Sequence, residues 1–292
     1  MRAAILPERA VLHVRGGDAR HFLHNLVTSN VETLLPNEAR FAALLTPQGK
    51  ILFDFFVLAV PEDEGGGFLF DAPKALAADL LKRLGFYKLR AKVEVESKPD
   101  LAVAVSLDEK PTQEIGFIFA DPRHAKLGTR IILPAADAEA ALRNAGFSLV
   151  SEEEWQALRI SLGVPEGGKD FVYGDTFPHE ADMDQLEGVD FAKGCFVGQE
   201  VVSRIQHKGG ARTRVVPVAY SDSKPLEGVE VKIGEKQAGF FGSAANGRGL
   251  AKLRLDRVED GLKAGESLSA GNIPLTLVKP DWAKFPFPGD SV

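Results

Sequence analysis

Cysteine is almost missing from this 292-residue chain: Cys195 is the only one. A single thiol excludes an internal disulfide, and it excludes any multi-cysteine metal site held by one chain. Long apolar runs are missing as well; none reaches the ~18 residues that a membrane-spanning helix requires. There is no basic excess, because 35 Lys and Arg face 41 Asp and Glu for a net charge of −6. That balance argues against a general nucleic-acid binder. The opening stretch, residues 1–14, lacks the apolar core of a signal peptide and reads as the start of a strand. The expectation is therefore a cytoplasmic protein with no membrane contact.

What is present is ordinary for a globular protein: 45% hydrophobic and 26% charged residues, in a chain long enough for two or three domains. Residues 10–14 read as a strand, with a helix after Asp18 that carries Phe22, Leu23 and Leu26 on one face. Residues 41–45 and 51–60 read as a hairpin across Thr46-Pro47-Gln48-Gly49-Lys50. A strand at 68–70 precedes a helix marked by Leu76, Leu80, Leu81 and Leu84, which Gly85 is expected to stop. Residues 89–96 alternate as a strand. Strands at 101–106, 115–119 and 129–133 and a helix at 136–145 suggest a second small lobe, with polar connectors at 108–114 and 121–126. Ser151 and Glu154 have the spacing of a capping box for a helix through Trp155, Leu158 and Leu162. From Thr213 onward short strands alternate with glycine-bearing turns, the pattern of a small antiparallel barrel.

The chain is organised around Lys193-Gly194-Cys195-Phe196-Val197-Gly198-Gln199-Glu200. Two glycines bracket the thiol, and a helix-like run begins at Gln199. A helix start and a neighbouring lysine both favour a thiolate, so Cys195 reads as a reactive, partly exposed cysteine; a small buried apolar residue is the alternative. A thiol enzyme would also need a base, for which His207 is the nearest candidate in sequence. Asp54 stands inside the apolar run Ile51-Leu52-Phe53-Asp54-Phe55-Phe56, where a carboxylate is costly unless paired. His179, Glu180, Asp182 and Asp184 cluster in a turn-rich segment, but their spacing matches no standard metal site. Arg204, Lys208, Arg212 and Arg214 form a local basic excess suited to an anionic ligand.

The motif KGCFVGQE followed by Arg204 resembles the signature of the YgfZ-type folate-binding proteins, in the superfamily of the glycine cleavage T-protein, an aminomethyltransferase. Supporting similarities are Val27-Thr28-Ser29-Asn30-Val31, Arg159 to Pro165, Gly249 to Asp256 and Pro280-Asp281-Trp282, so the resemblance covers nearly the whole chain. It implies an α+β fold with two lobes around a central folate cavity and a C-terminal antiparallel β-barrel. The expected division is a first lobe at 1–96 completed by 150–212, a second lobe at 97–149, a connector with the cysteine motif at 150–212, and a barrel at 213–292.

It also implies a folate-binding accessory factor for iron–sulfur cluster assembly or repair, rather than a conventional enzyme. Cys195 would be the reactive group. Asp54, Ser161, Lys193, Gly194, Gly198, Gln199, Glu200, Arg204 and Arg212 would bind tetrahydrofolate or a related reduced folate, and no residue would be a resident metal ligand. The partners implied are iron–sulfur assembly proteins or client enzymes. The alternative is a tetrahydrofolate-dependent aminomethyl- or methyltransferase. Two departures from T-proteins argue against that alternative: Phe53 stands where a second acidic residue adjoins Asp54, and Ser161 stands where a pterin-binding glutamate is found.

Overall fold

The structure, a computed structural model, describes residues 1–108, 115–221 and 223–290. Most of the connector expected at 108–114, and residue 115's immediate approach, thus lie outside the described residues. The chain divides into two compact units, one of residues 1–155 with 187–199 and one of residues 156–186 with 200–292.

In the first unit the chain runs through β1 (Arg2–Ile5), β2 (Arg9–Arg15), α1 (Ala19–His24), β3 (Ala39–Leu45), β4 (Ile51–Ala59), β5 (Phe68–Pro73) and α2 (Lys74–Tyr87). It continues with β6 (Glu94–Ser97), β7 (Leu101–Ser106), β8 (Phe117–Ala120), β9 (Thr129–Pro134), α3 (Ala138–Asn144) and β10 (Ser148–Leu149). The strands form two five-stranded sheets, ordered β3-β4-β5-β2-β6 and β10-β1-β7-β9-β8.

The period-two rule for strands decides which way β4 faces. Phe53, Phe55, Val57 and Ala59 enter the first core with Ala77, Leu80 and Leu84 of α2, which follow helical spacing. Asp54, Phe56 and Leu58 therefore point to the opposite face of the sheet. The hairpin forms as expected, closed by Gly49 N–H to Thr46 O at 2.8 Å and Thr46 N–H to Lys50 O at 2.8 Å. Gly85 does not stop α2. The helix runs on to Tyr87, because Gly85 faces open space and its cost of about 1 kcal/mol is small beside the packing of the opposite face. The strand expected at 89–96 shortens to β6, since Leu89 takes a left-handed φ of 45°.

The first strand joins the second sheet, not the one built by the rest of 1–96. β1 pairs antiparallel with β7 and parallel with β10. Ala3 and Ala4 are fully buried, and their small side chains let β1 sit against Ala104, Ile131 and Leu142. At the end of this unit the Ser151 hydroxyl engages Glu153, while Glu154 reaches Arg2 at 3.6 Å, so the expected box with Glu154 does not form.

α4 (Glu152–Ser161) carries the chain into the second unit. There follow α5 (Gln199–His207), β11 (Thr213–Ala219), β12 (Glu230–Ile233), β13 (Lys236–Ala245), β14 (Arg248–Arg254), α6 (Leu255–Lys263), β15 (Leu268–Ala270) and β16 (Ile273–Leu277). The six strands close into the expected antiparallel barrel, ordered β11-β14-β13-β12-β15-β16. Helix α6 was not expected. It buries Leu255, Val258 and Gly261 along one face, a helical spacing that the neighbouring strand signals masked.

Candidate functional site

The cysteine loop belongs to the first unit, and three contacts fix it there. The Thr28 hydroxyl donates to Gly188 O at 2.6 Å and accepts from Ala43 N–H at 2.8 Å. Fully buried, it clips the returning segment to β3. Asp190 Oδ1 accepts from the N–H groups of Ala192 and Lys193 at 2.8 and 3.1 Å, which turns the chain just before the motif. Gly198 then lies against the β3–β4 turn. Its φ is 81°, and a Cβ there would fall 2.6 Å from Thr46 O and 2.9 Å from Gly49 Cα. Only glycine satisfies both conditions.

Lys193 is buried. Its ammonium donates to His24 O and, at 2.6 Å, to Val27 O, and it lies 5.2 Å from the centroid of the Phe196 ring. Burial pushes its pKa down to about 8, against the opposing pull of Asp190 and Cys195. Cys195 is exposed and lies within electrostatic reach of that ammonium. The expected contribution of a helix start is absent. α5 opens at Gln199, so Phe196, Val197 and Gly198 intervene, and a helix dipole fades within its first turn. The positive charge facing the thiol is that of Lys193.

Sequence reasoning missed His24. Gly194 lies outside the left-handed region, and the nearest atom to a Cβ built on it is His24 Nε2 at 3.8 Å. The glycine therefore leaves the imidazole edge uncovered. His24 Nδ1 is buried without a hydrogen-bond partner among the described residues. Burial first, and then the Lys193 charge, lower its pKa. It ends α1, far from the motif in sequence, and only the fold brings the two together. His207, the base suggested by sequence proximity, is an exposed residue at the end of α5.

Asp54 is buried on the face of β4 that carries Phe56. Beside it stands a charge network that sequence reasoning did not anticipate. Arg123 grips Asp121 through Nε and Nη2 at 3.0 and 2.8 Å, with its guanidinium 4.9 Å from the Phe56 centroid and 5.4 Å from that of Phe41. Arg130 bridges Asp71 at 2.6 Å and Asp121 at 3.4 Å, and Arg9 meets Asp71 at 2.6 Å. The Asp54 charge helps hold Arg123 protonated, after the stronger effects of burial and of Asp121. These ion pairs join the facing sheets of the first unit.

The remaining candidates lie elsewhere. Gln199 is half-buried and Glu200 exposed. Ser161 ends α4, is exposed, and donates its hydroxyl to Leu158 O at 2.7 Å. Arg204 and Arg212 are exposed. Arg212 assists the Arg254 hydrogen bond in holding the Asp256 carboxyl below its ordinary range. Arg214 is different: it is 2% exposed and committed to Asp182 at 2.9 Å, to both oxygens of Asp184 at 2.8 Å and to His179 O at 2.8 Å. Burial raises the Asp182 pKa well above its ordinary range, whereas for Asp184 the bonds from Arg214 outweigh burial and lower it. The acidic turn is thus the counterion of a buried arginine, and among the described residues no group of three or more ligands could hold a metal ion.

A cavity of about 630 Å³ opens beside the cysteine loop within the first unit, lined by Ser29, Asn30, Arg40, Pro122, Glu187 and Asp190, among others. Its size is within the usual range for a small-molecule site. Asp54 is not one of its lining residues. A pterin ring presents adjacent N–H donors and ring acceptors. The carboxylates, amide, hydroxyl and guanidinium in this part of the unit are chemically compatible with such a ring.

Similarity to known proteins follows this geometry. The iron–sulfur cluster assembly factor IBA57, mitochondrial, of Mus musculus is 32% identical over 304 residues, covering 95% of this chain and 84% of the relative. The chain belongs to the IBA57 family of iron–sulfur cluster assembly factors. The human relative of the same name is 31% identical, with the same coverage of both chains. Residues 212–285 match the CAF17 C-terminal β-barrel domain. The aminomethyltransferase T of the glycine cleavage system from Bartonella henselae superposes with a TM-score of 0.70 over 98% of this chain and 87% of its own, at 15% identity. The fold is therefore that of the aminomethyltransferases, and at this identity the likeness speaks to fold alone. One expectation is corrected. The cytoplasmic location rested on the absence of a recognisable leader, and the family members found are named as mitochondrial proteins.

Proposed function

We propose that this protein is a folate-binding accessory factor in iron–sulfur cluster assembly or repair, with Cys195 as its reactive group. The observation that supports this reading best is an exposed thiol on a loop with fixed anchors: buried Lys193 under it, buried Thr28 before it, and Gly198 packed against the β3–β4 turn after it. Such a loop presents one sulfur at a fixed place. The Lys193 ammonium lies within electrostatic reach of the sulfur, and a thiolate is the form that attacks a disulfide or ligates soft metal. One thiolate cannot retain a cluster, so the contact is transient and the partner, an assembly protein or client enzyme, brings the other ligands.

Reduced folate is the proposed small ligand. A pterin carries N–H donors that a buried carboxylate such as Asp54 accepts. Backbone and side-chain polar groups of Lys193, Gly194, Gly198 and Gln199, which share the first unit with Asp54, complete the candidate set. Folate itself would supply nucleophilic nitrogens able to carry a one-carbon unit. Asp54 without a second acidic neighbour positions the ring rather than driving rapid transfer.

Calorimetry with tetrahydrofolate tests the ligand. Saturation at about one hundred times Kd raises stability by about 2.7 kcal/mol, and neither heat nor stabilisation at high concentration refutes folate binding. Steady turnover with tetrahydrofolate and a methyl or aminomethyl donor would establish a transferase instead. Complementation tests the thiol: Cys195→Ala should fold normally and fail to support iron–sulfur enzymes in cells, and full rescue by that variant refutes the role given to Cys195.

A further inference from the structure

The end of α2 and the turn after it carry a feature that the cysteine loop does not use. Residues 80–93 contain five cations, Lys82, Arg83, Lys88, Arg90 and Lys92, and no carboxylate, in a protein whose net charge is −6. Lys82, Arg83, Arg90 and Lys92 are exposed. Lys88 differs, since its Nζ donates to Val93 O at 3.3 Å and locks the turn. Two large apolar side chains protrude among the free cations, Phe86 at 74% exposure and Leu89 at 86%. The Tyr87 ring supports Phe86 edge-on at 6.2 Å. Leu89 holds the left-handed φ of 45° that a leucine rarely adopts, in a turn closed by Ala91 N–H to Lys88 O at 2.7 Å. The nearby carboxylates are Asp79 on the preceding turn, Asp18, which accepts from Lys92 N–H at 2.7 Å, and Glu94, which is paired with Arg15 at 2.9 Å.

We propose that Phe86 and Leu89, with the cations around them, form a docking site for an anionic phospholipid surface. Apolar side chains at the tip of a helix, ringed by lysine and arginine, suit the boundary between lipid headgroups and acyl chains. Two points favour lipid over the alternatives. A nucleic-acid strand would use Phe86 for stacking but has no use for an aliphatic leucine beside it. A protein partner would need a pocket shaped to two protruding side chains, whereas a bilayer yields to them. The site is a surface contact and requires no membrane-spanning element, in keeping with the absence of any helix among the described residues that is long and apolar enough to cross a membrane.

The test is sedimentation of the whole protein with vesicles of phosphatidylcholine alone and with phosphatidylcholine mixed with phosphatidylglycerol. Wild type should bind the mixed vesicles only and release them as salt is raised. Each cation near an anionic surface is worth about a factor of five, so Lys82→Gln with Arg90→Gln should lower partitioning about thirtyfold. Phe86→Ser with Leu89→Ser should lower it about tenfold or more. All four side chains are exposed, so the thermal unfolding of these variants should match wild type. A Phe86→Trp variant should shift its fluorescence to the blue on mixed vesicles. Failure of wild type to sediment with mixed vesicles overturns the proposal. So does equal binding to neutral vesicles, or binding of a single-stranded RNA oligonucleotide that depends on these residues in the absence of any vesicle binding.

Discussion

The two glycines around Cys195 look equivalent in sequence, and the structure predicts opposite tolerance to a methyl group. Gly198→Ala suffers twice. At φ 81° an alanine sits in the left-handed region, at a cost of about 1–2 kcal/mol. Its Cβ would also stand 2.6 Å from Thr46 O, 2.9 Å from Gly49 Cα and 3.1 Å from Gly49 N. All three are backbone atoms of a hydrogen-bonded turn, so relief requires the turn or the loop to move, for about 1–3 kcal/mol more. The total of about 2–5 kcal/mol lowers the melting temperature by about 3–8 °C for a protein of this size. Gly194→Ala meets only His24 Nε2 at 3.8 Å, an ordinary contact, at a φ outside the left-handed region. It should remain within about 0.5 kcal/mol of wild type. Differential scanning calorimetry gives the first comparison, and the alkylation rate of Cys195 gives the second. If the strain is relieved by lifting the loop, Lys193 leaves its carbonyls and the thiol's alkylation rate changes for Gly198→Ala alone. Equal melting and equal alkylation for the two variants would refute the account of how the loop is held.

Other consequences can be checked in the same way. The folded pKa of Lys193, about 8, lies below its ordinary 10.5, so burying the cation costs stability below pH 8 and the cost is relieved as pH rises from about 8 to about 10.5. Denaturant unfolding should show wild type gaining up to about 3 kcal/mol over that window relative to Lys193→Met, which lacks the titrating group; identical slopes would contradict the burial of a charged lysine. Arg214→Met leaves Asp182 and Asp184 without their counterion and should lose about 3–5 kcal/mol in chemical denaturation, whereas a loss below 1 kcal/mol would mean that the pair is solvated. Asp54→Asn keeps the shape of the side chain and removes its charge, so calorimetry should show weaker tetrahydrofolate binding; unaltered affinity would remove Asp54 from the proposed site.

What the sequence made legible was local. The β3–β4 hairpin, the barrel strands and the helix beginning at Gln199 follow from alternation, turn residues and glycine placement. Gly85 misled because propensity is a weak prior against a packed helix face, and α6 was hidden between strand signals. The site was legible only where its residues adjoin. The KGCFVGQE motif marked Cys195, but His24, Thr28 and Val27 contribute to it through contacts across 160 to 169 positions. No periodicity encodes such pairings. The same holds for Arg214 with Asp182 and Asp184, where charges suggesting a ligand site on one segment and a metal site on another turned out to be partners of each other. Arg123 and Asp121 sat in a stretch that read as a polar connector, yet both are drawn into the buried network beside Asp54.

The order in which the chain visits its two units has a consequence for synthesis. Residues 1–155 are made first, then a segment of the second unit, and only afterwards residues 187–199, which return to the first. When Cys195 leaves the ribosome, α1, Thr28 and the β3–β4 turn have already been made and can receive it, while most of the barrel is still to be translated. The thiol can therefore be captured early, held by its lysine and its glycine before the polypeptide is finished. A nascent chain has no need to carry its one thiol loose, and a product truncated before residue 187 carries no thiol at all.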